Sequence, residues 1–207
     1  MRELDIETWN RKQQFHFFNQ FDDPYFAVTV EFDVTETYKY SKKNNISFFA
    51  LYLHACMKAI NSVENLKYRI QNGKVMIHDV IHASPTILRD DYTFGFSFIH
   101  FDEDFKRFNK NLEAEKNRIL NSTEMFPEQN TEDCIYCSAM PWFNFSGHKE
   151  PLFGVKKESV PKLAFGKYVK KDDKLMMPVA IAANHALVDG YHVGLFVKKF
   201  QKLLDNI

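Results

Sequence analysis

The chain has 207 residues with 27 basic and 27 acidic side chains, so its formal net charge is zero. This balance excludes a general electrostatic attraction to nucleic acid or to an anionic membrane. No apolar stretch approaches the roughly 20 residues that cross a bilayer, so we expect a cytoplasmic protein.

Hydrophobic periodicity divides the N-terminal half into helices, a strand and a hairpin. Residues 8–21 predict a helix capped by Thr8, and residues 25–34 predict a strand. Ser47 begins a strongly periodic helix that runs to residue 60. Asn72-Gly73 separates two short apolar runs, 66–70 and 74–77, which is typical of a two-residue hairpin.

The second half continues the same alternation. The patterns predict strands over 84–88, 93–99 and 134–140, a surface helix over 101–120, a hairpin of 162–169 with 175–183, and a last helix over 191–204. Together they predict an α+β fold in which helices cover a mixed, largely antiparallel sheet. The length suits a single domain over residues 1–207. The 21 Phe, 9 Tyr and 2 Trp residues indicate a packed core and also aromatic-lined pockets or interfaces.

Cys134 and Cys137 form a C-x-x-C pattern, and the chain has three cysteines in all. The pattern fits a redox pair or half a zinc site, and it equally fits core thiols in a strand. No second ligand pair accompanies it, and we expect no metal. An odd cysteine count without framework spacing is typical of a reducing compartment.

A buried-looking strand runs into Asn184-His185, and Asp189-Gly190 precedes the last helix. A histidine at a strand-to-helix junction can face a cleft and exchange a proton near neutral pH. His185 is therefore a candidate general base. The same pattern also fits a histidine satisfied inside the core, with Asp189 only capping the helix.

Four segments resemble the chloramphenicol acetyltransferase family of coenzyme-A-dependent acyltransferases. Asn184-His185-Ala186-Leu187-Val188-Asp189-Gly190 resembles the family motif H-H-x-x-x-D-G, and Trp9-Asn10-Arg11-Lys12 with Phe15 resembles W-x-R-[RK]-x-x-F. Ser138-Ala139-Met140-Pro141-Trp142 with Phe145 resembles S-x-x-P-W-x-x-F. Gly166-Lys167-Tyr168 with Met177-Pro178 resembles the hairpin that leads into the family histidine. The resemblance implies a two-layer sandwich and a homotrimer with active sites between subunits.

The resemblance also implies a role for each matching residue. His185 would take the proton of an acceptor hydroxyl, and Ser138 would stabilise the oxyanion. Arg11 and Asp189 would form a structural ion pair. Acetyl-CoA would be a co-substrate, with no permanently bound cofactor, and Lys167, Tyr168 and Trp142 would contact it. These last three residues also fit a solvated lysine and two packing aromatics.

The chain departs from the family pattern at several positions. Asn184 replaces the first histidine of the doublet, Ala164 a threonine, Ser47 a lysine and Phe49 a tyrosine near the coenzyme. On the acceptor side Phe18 replaces a tyrosine, and Tyr136 stands where some members have an asparagine. The rings that we expect to line the acceptor site are Phe18, Phe26, Phe94, Phe96 and Tyr136.

The resulting hypotheses differ in acceptor and in class. The first is acetylation of chloramphenicol on a hydroxyl, which would confer resistance. The second keeps the reaction and changes the acceptor to another hydroxylated small molecule. The third is a non-catalytic trimeric binding protein, suggested by Ala164, and the fourth is a thiol redox protein.

Overall fold

The computed structural model describes residues 1–129, 131–151 and 158–207. In chain order its elements are β1 (Arg2–Glu3), α1 (Lys12–Phe18), β2 (Tyr25–Asp33), α2 (Thr35–Asn44), α3 (Phe48–Asn61), β3 (Tyr68–Gln71), β4 (Lys74–Ile77), β5 (His82–Leu88), β6 (Phe94–Phe96), α4 (Phe105–Leu120), β7 (Cys134–Met140), β8 (Lys162–Gly166), β9 (Val169–Lys171), β10 (Lys174–Asn184) and α5 (Gly190–Asp205). None of the helices in these ranges is long and apolar enough to cross a membrane.

The main sheet has the strand order β2-β10-β8-β7-β5-β6, and β9 pairs with β10. The pairs β2–β10, β10–β8, β10–β9 and β5–β6 are antiparallel, whereas β8–β7 and β7–β5 are parallel. The predicted mixed, largely antiparallel sheet is therefore confirmed. A second, small sheet has the order β1-β4-β3.

Side chains alternate between the two faces of the main sheet. On one face Ile135 and Cys137 of β7, with Leu163 and Phe165 of β8, join a continuous apolar core that includes α3 and α5. The intervening residues lie on the opposite face, which we call the second face. It includes Tyr136 and Ser138 of β7, Lys162 and Ala164 of β8, and Ala180 and Ala182 of β10.

Most predicted elements are confirmed with shifted ends, but the first helix is shorter than expected. It begins at Lys12, because the Thr8 hydroxyl donates to Asp5 and caps no helix. Ser47 does cap α3, since its hydroxyl accepts from Ala50 N at 3.3 Å. The predicted Asn72-Gly73 turn is also present, with both residues at positive φ, 53° and 79°.

The fully buried Arg69 joins the small sheet to β7. Its guanidinium donates to the nearby carbonyls of Leu66 and Tyr68. It also donates to the carbonyls of Glu132 and Cys134, which lie just before and at the start of β7. Burial lowers its pKa to about 10. Sequence patterns did not single out this residue, since an arginine in a short hairpin strand reads as exposed.

The cysteines are packed in the interior and are not disposed for redox chemistry. Cys137 belongs to the main core and Cys134 to a smaller cluster, and neither cysteine forms a disulfide. Burial raises the pKa of Cys134 to about 12 and that of Cys137 well above its usual range. A reactive thiol needs a lowered pKa, so the core interpretation is favoured over the redox one.

Candidate active site

His185 lies directly after β10 and is held by its backbone and by two aromatic rings. Its N–H donates to Pro24 O at 2.8 Å. Its imidazole stacks on Phe18 of α1 with centroids 3.9 Å apart and planes 5° apart, and the Phe26 ring lies 4.6 Å away. Nδ1 is buried and meets no hydrogen-bond partner among the described residues. Ring packing therefore fixes the imidazole.

Arg11 ties the loop after His185 to the start of α1. One guanidinium nitrogen donates to the Asp189 carboxylate and another to the His185 carbonyl at 3.2 Å. The Arg11 side chain is 11% exposed and that of Asp189 30%. The sequence prediction of an Arg11–Asp189 pair therefore has a physical basis: the pair fixes the backbone that carries the imidazole.

Asp189 is also the N-cap of α5. Its carboxylate accepts from Tyr191 N at 3.0 Å, and its own N–H donates to His192 Nδ1 at 3.2 Å, which completes a capping box. Burial opposes ionisation of Asp189, but His192 and Arg11 outweigh it and lower its pKa. The capping role and the ion pair, considered above as alternatives, coexist in one side chain.

Ser138 lies on the second face, in register with Ala164 of β8. Its hydroxyl makes no hydrogen bond to any residue that the structure describes. A half-buried hydroxyl of this kind can donate to a bound molecule, which is what stabilisation of an oxyanion requires. Ala164 beside it is 1% exposed and supplies no polar group.

The strand register separates Ser138 from His185 within one chain. Ser138 pairs with Ala164, which pairs with Ala180 on β10, five residues before His185. Five residues at ~3.3 Å along the strand and two strand spacings of ~4.8 Å place the two residues roughly 15–20 Å apart. They cannot act on the same atom of a ligand within one protomer.

A cleft of about 500 Å³ opens at the end of β7 and β8, on the core side of the sheet and opposite the face that carries Ser138. Its wall includes Phe49, Ala139, Lys167 and Tyr168, so two of the three residues predicted to contact the coenzyme lie together. A hydrogen bond with Tyr38 raises the pKa of Tyr168 to about 12. An apolar wall with one lysine suits a long, partly apolar molecule that carries phosphates.

Two other predicted coenzyme neighbours differ in position. Trp142 is 62% exposed, and it follows Pro141, which lines the cleft, without being part of the wall itself. Ser47 uses its hydroxyl to cap α3, so this position offers no charge to a phosphate. Lys167 is therefore the cation in the wall of the cleft.

The predicted acceptor-side rings fall into two groups. Phe18 and Phe26 pack on His185. Phe94 and Phe96 of β6 lie on the same sheet face as Tyr136 and Ser138, because Gly95 between them faces Ile119 of α4. Within one chain the first group therefore lies with His185, and the second group lies on the face that carries Ser138.

Asn184 and Lys162 complete the polar part of the site region, and sequence reasoning gave neither of them a role. Asn184 is 2% exposed, donates to Glu158 O at 3.0 Å and accepts from Ala186 N at 2.9 Å. Lys162 is 7% exposed at the start of β8. The sequence feature that indicates a buried Lys162 is its position directly before the apolar run Leu163-Ala164-Phe165.

Comparisons with known proteins indicate one family for this chain. The chloramphenicol acetyltransferase family model matches residues 1–201. A chloramphenicol acetyltransferase of Proteus mirabilis is 27% identical over 98% of this chain and 94% of its own, and one of Clostridium perfringens is 30% identical over 98% of each. A solved chloramphenicol acetyltransferase structure superimposes with a TM-score of 0.88 at 27% identity, covering 98% of this chain and 99% of the other. The chain belongs to the chloramphenicol acetyltransferase family.

Proposed function

We propose that this protein transfers an acetyl group from acetyl-CoA to a hydroxyl of chloramphenicol and thereby confers resistance to the drug. The observation that carries this proposal is His185, an imidazole held by Phe18 and by the Arg11–Asp189 pair. The names of the relatives and of the matching family support the acceptor.

In this mechanism an imidazole nitrogen of His185 removes the proton of the acceptor hydroxyl as its oxygen attacks the thioester carbonyl carbon. The Ser138 hydroxyl donates to the oxyanion that forms, a contribution typically worth about 100- to 1,000-fold in rate. The C–S bond then breaks, and the thiolate takes the proton from the imidazolium. The products are an acetyl ester and free coenzyme A.

Acetyl-CoA would bind in the cleft at the end of β7 and β8. The Phe49 and Tyr168 rings would contact the apolar parts of the coenzyme, and Lys167 would pair with a phosphate. Trp142, exposed next to the cleft, is available to pack on the coenzyme at the entrance. The coenzyme is a substrate here and leaves with every turnover.

We further propose a homotrimer whose active sites lie between subunits. The roughly 15–20 Å between His185 and Ser138 within one chain supports this, because each site then needs the histidine of one copy and the serine of the next. The acceptor-side rings divide in the same way. Three unpaired cysteines in the described ranges fit a reducing compartment, which supports a cytoplasmic location.

A second candidate keeps the reaction and changes the acceptor to another hydroxylated small molecule. The buried Lys162, in register with the predicted acceptor residue Tyr136, favours it. The ammonium gives this part of the predicted acceptor side a charged, ion-paired group.

Release of free thiol from acetyl-CoA tests the proposal directly. The protein is mixed with acetyl-CoA and chloramphenicol, with His185→Ala as the matched variant. Fast release that the substitution abolishes supports acetylation of chloramphenicol. Rapid release only with another alcohol supports the second candidate, and no hydroxyl-dependent release with any acceptor contradicts both.

A further inference from the structure

Lys167 follows β8 directly and is exposed in the wall of the cleft. Among the residues of that wall that the structure describes, it is the one charged side chain. It forms no ion pair with any residue in the described ranges. Ser47 supplies no charge either, because its hydroxyl caps α3. Binding of a coenzyme phosphate in this cleft would therefore depend on how well Lys167 is placed.

The loop that follows β7 holds the backbone of Lys167 on both sides. The Lys167 N–H donates to Phe143 O at 2.9 Å, and Nδ2 of Asn144 donates to Lys167 O at 3.1 Å. This contact is possible because β7 and β8 are parallel, with Met140 in register with Gly166. Both chains therefore leave the sheet at the same edge, and residues 141–145 lie beside residue 167.

The same loop packs closely against Gly166. A Cβ at this position would lie 2.8 Å from the Phe145 ring and 2.7 Å from the Pro178 ring, closer than such contacts normally are. The absence of a side chain lets Phe145 rest on the backbone just before Lys167. Phe145 thus fixes the loop on β8, and the two hydrogen bonds fix Lys167 on the loop.

These contacts matter for a lysine because its side chain is long and flexible. Ordering that side chain on a phosphate costs rotamer entropy, and a mobile backbone would add to the cost. With N–H and C=O both held, the direction of the Cα–Cβ bond of Lys167 is set before the ligand arrives. Phe143 contributes a backbone carbonyl, whereas Asn144 contributes a side chain that a substitution can remove.

From this geometry we infer that Asn144 is a positioning residue for coenzyme binding, which acts by holding Lys167 in place for a phosphate of acetyl-CoA. The inference rests on the proposed acyl transfer and deepens it on the donor side. Asn144 touches no reacting atom in this scheme. Its effect therefore falls on the binding of the donor and leaves the histidine chemistry unchanged.

The test compares acetyl-CoA with S-acetylpantetheine, which carries the same thioester and no phosphate. Thiol release is measured at saturating chloramphenicol for Asn144→Ala, Lys167→Met and the double variant. Asn121→Ala is the matched control, because this exposed asparagine also donates its amide to a backbone carbonyl, that of Asn117 at 2.8 Å, at the end of α4. Circular dichroism checks folding, and gel filtration checks assembly.

Asn144→Ala is expected to lower kcat/KM for acetyl-CoA by about three- to tenfold, mainly through KM, which is the range for the loss of one hydrogen bond. The value for S-acetylpantetheine should stay within about twofold, since that donor has no phosphate for Lys167. Lys167→Met should show the same selectivity for the donor. The double variant should be no worse than Lys167→Met alone, because Asn144 acts through that lysine. The Asn121→Ala control should match the intact protein with both donors.

Three results would overturn the inference. Equal losses with the two donors would indicate a general structural role for Asn144. Additive losses in the double variant would show that Asn144 acts independently of Lys167. A Lys167→Met variant as active with acetyl-CoA as the intact protein would remove the lysine from phosphate binding altogether.

Calorimetric binding of coenzyme A separates this inference from the proposed function. Weaker binding of coenzyme A to Asn144→Ala than to the intact protein supports the role of Asn144 even if no thiol is released. Thiol release by the intact protein with equal coenzyme binding by both proteins supports acyl transfer and contradicts the role of Asn144.

Discussion

Phe18 and His185 lie ring on ring, with centroids 3.9 Å apart and planes only 5° apart. This contact joins the first helix, α1, to the loop that precedes the last helix, α5. No described residue makes a hydrogen bond to Nδ1 of His185, so the Phe18 ring is the main restraint on one side of the imidazole.

Replacing Phe18 by leucine is expected to lower kcat by about two- to tenfold, because an aromatic contact worth ~0.5–1.5 kcal/mol no longer holds the base in position. The KM for acetyl-CoA should stay within about twofold, since the cleft lies at the other end of the sheet. Steady-state thiol release measures both. Phe17→Leu is the matched control, because Phe17 is the preceding residue of α1 and is 56% exposed. Equal losses in the two variants would count against the stacking role.

Asp189→Ala is expected to destabilise the protein by about 2–4 kcal/mol, since it removes a helix cap and leaves Arg11 without its carboxylate. For a domain of this size each kcal/mol lowers the melting temperature by roughly 2–4 °C. Asp189→Asn keeps an oxygen for the cap and loses only the charge, so its loss should be smaller. Thermal unfolding at one fixed protein concentration decides this. If alanine and asparagine behave alike, the cap contributes nothing.

Ser138→Ala and His185→Ala should each abolish most of the activity alone and partly restore it when mixed. In a site shared between neighbouring copies, about one quarter of the sites in a random mixture contain both intact residues. The measurement is thiol release after the two variants have been unfolded and refolded together. Mixing without exchange of subunits is the control. No recovery after co-refolding would contradict the shared site.

Stability should fall as the pH drops below about 6.5, the usual pKa of histidine. Burial, followed by the nearby Arg69, lowers the pKa of His78, and burial, followed by His100, lowers that of His82. The folded state therefore binds these protons less readily than the unfolded chain. Their contribution is complete above pH 6.5 and is lost as the pH falls through the lowered values.

Urea unfolding between pH 7.5 and pH 5 measures this loss. His78 is 8% exposed and its Nε2 has no partner among the described residues. His78→Gln should make the urea midpoint less dependent on pH across this interval. A midpoint that stays constant in the intact protein would show that these histidines do not control acid stability.

Local sequence signals were sufficient where one element determines its own ends. Ser47 begins α3 as predicted and caps it, and Asn72-Gly73 forms the predicted turn, because each depends on neighbours within a few residues. Thr8 did not cap α1, since its hydroxyl found Asp5 three residues earlier. α2 was missed because Lys42 and Lys43 leave its pattern mostly polar.

Long-range polar contacts are where the sequence was least informative. The pairing of Arg11 with Asp189 was available only through the resemblance, since the two residues are 178 positions apart. The carbonyl partners of Arg69 and the Glu158 partner of Lys162 depend on how strands and loops meet. No periodicity encodes those contacts.

In the proposed trimer, the division of each site between two copies also determines how activity depends on the amount of protein. A lone copy would fold around its own core and still lack half of each site. Total activity would therefore increase more than proportionally with the concentration of the protein until the copies have assembled. A cell that contains few copies would be less protected than its protein content suggests. A defective subunit would also impair its intact neighbour, so loss-of-function variants would be partly dominant.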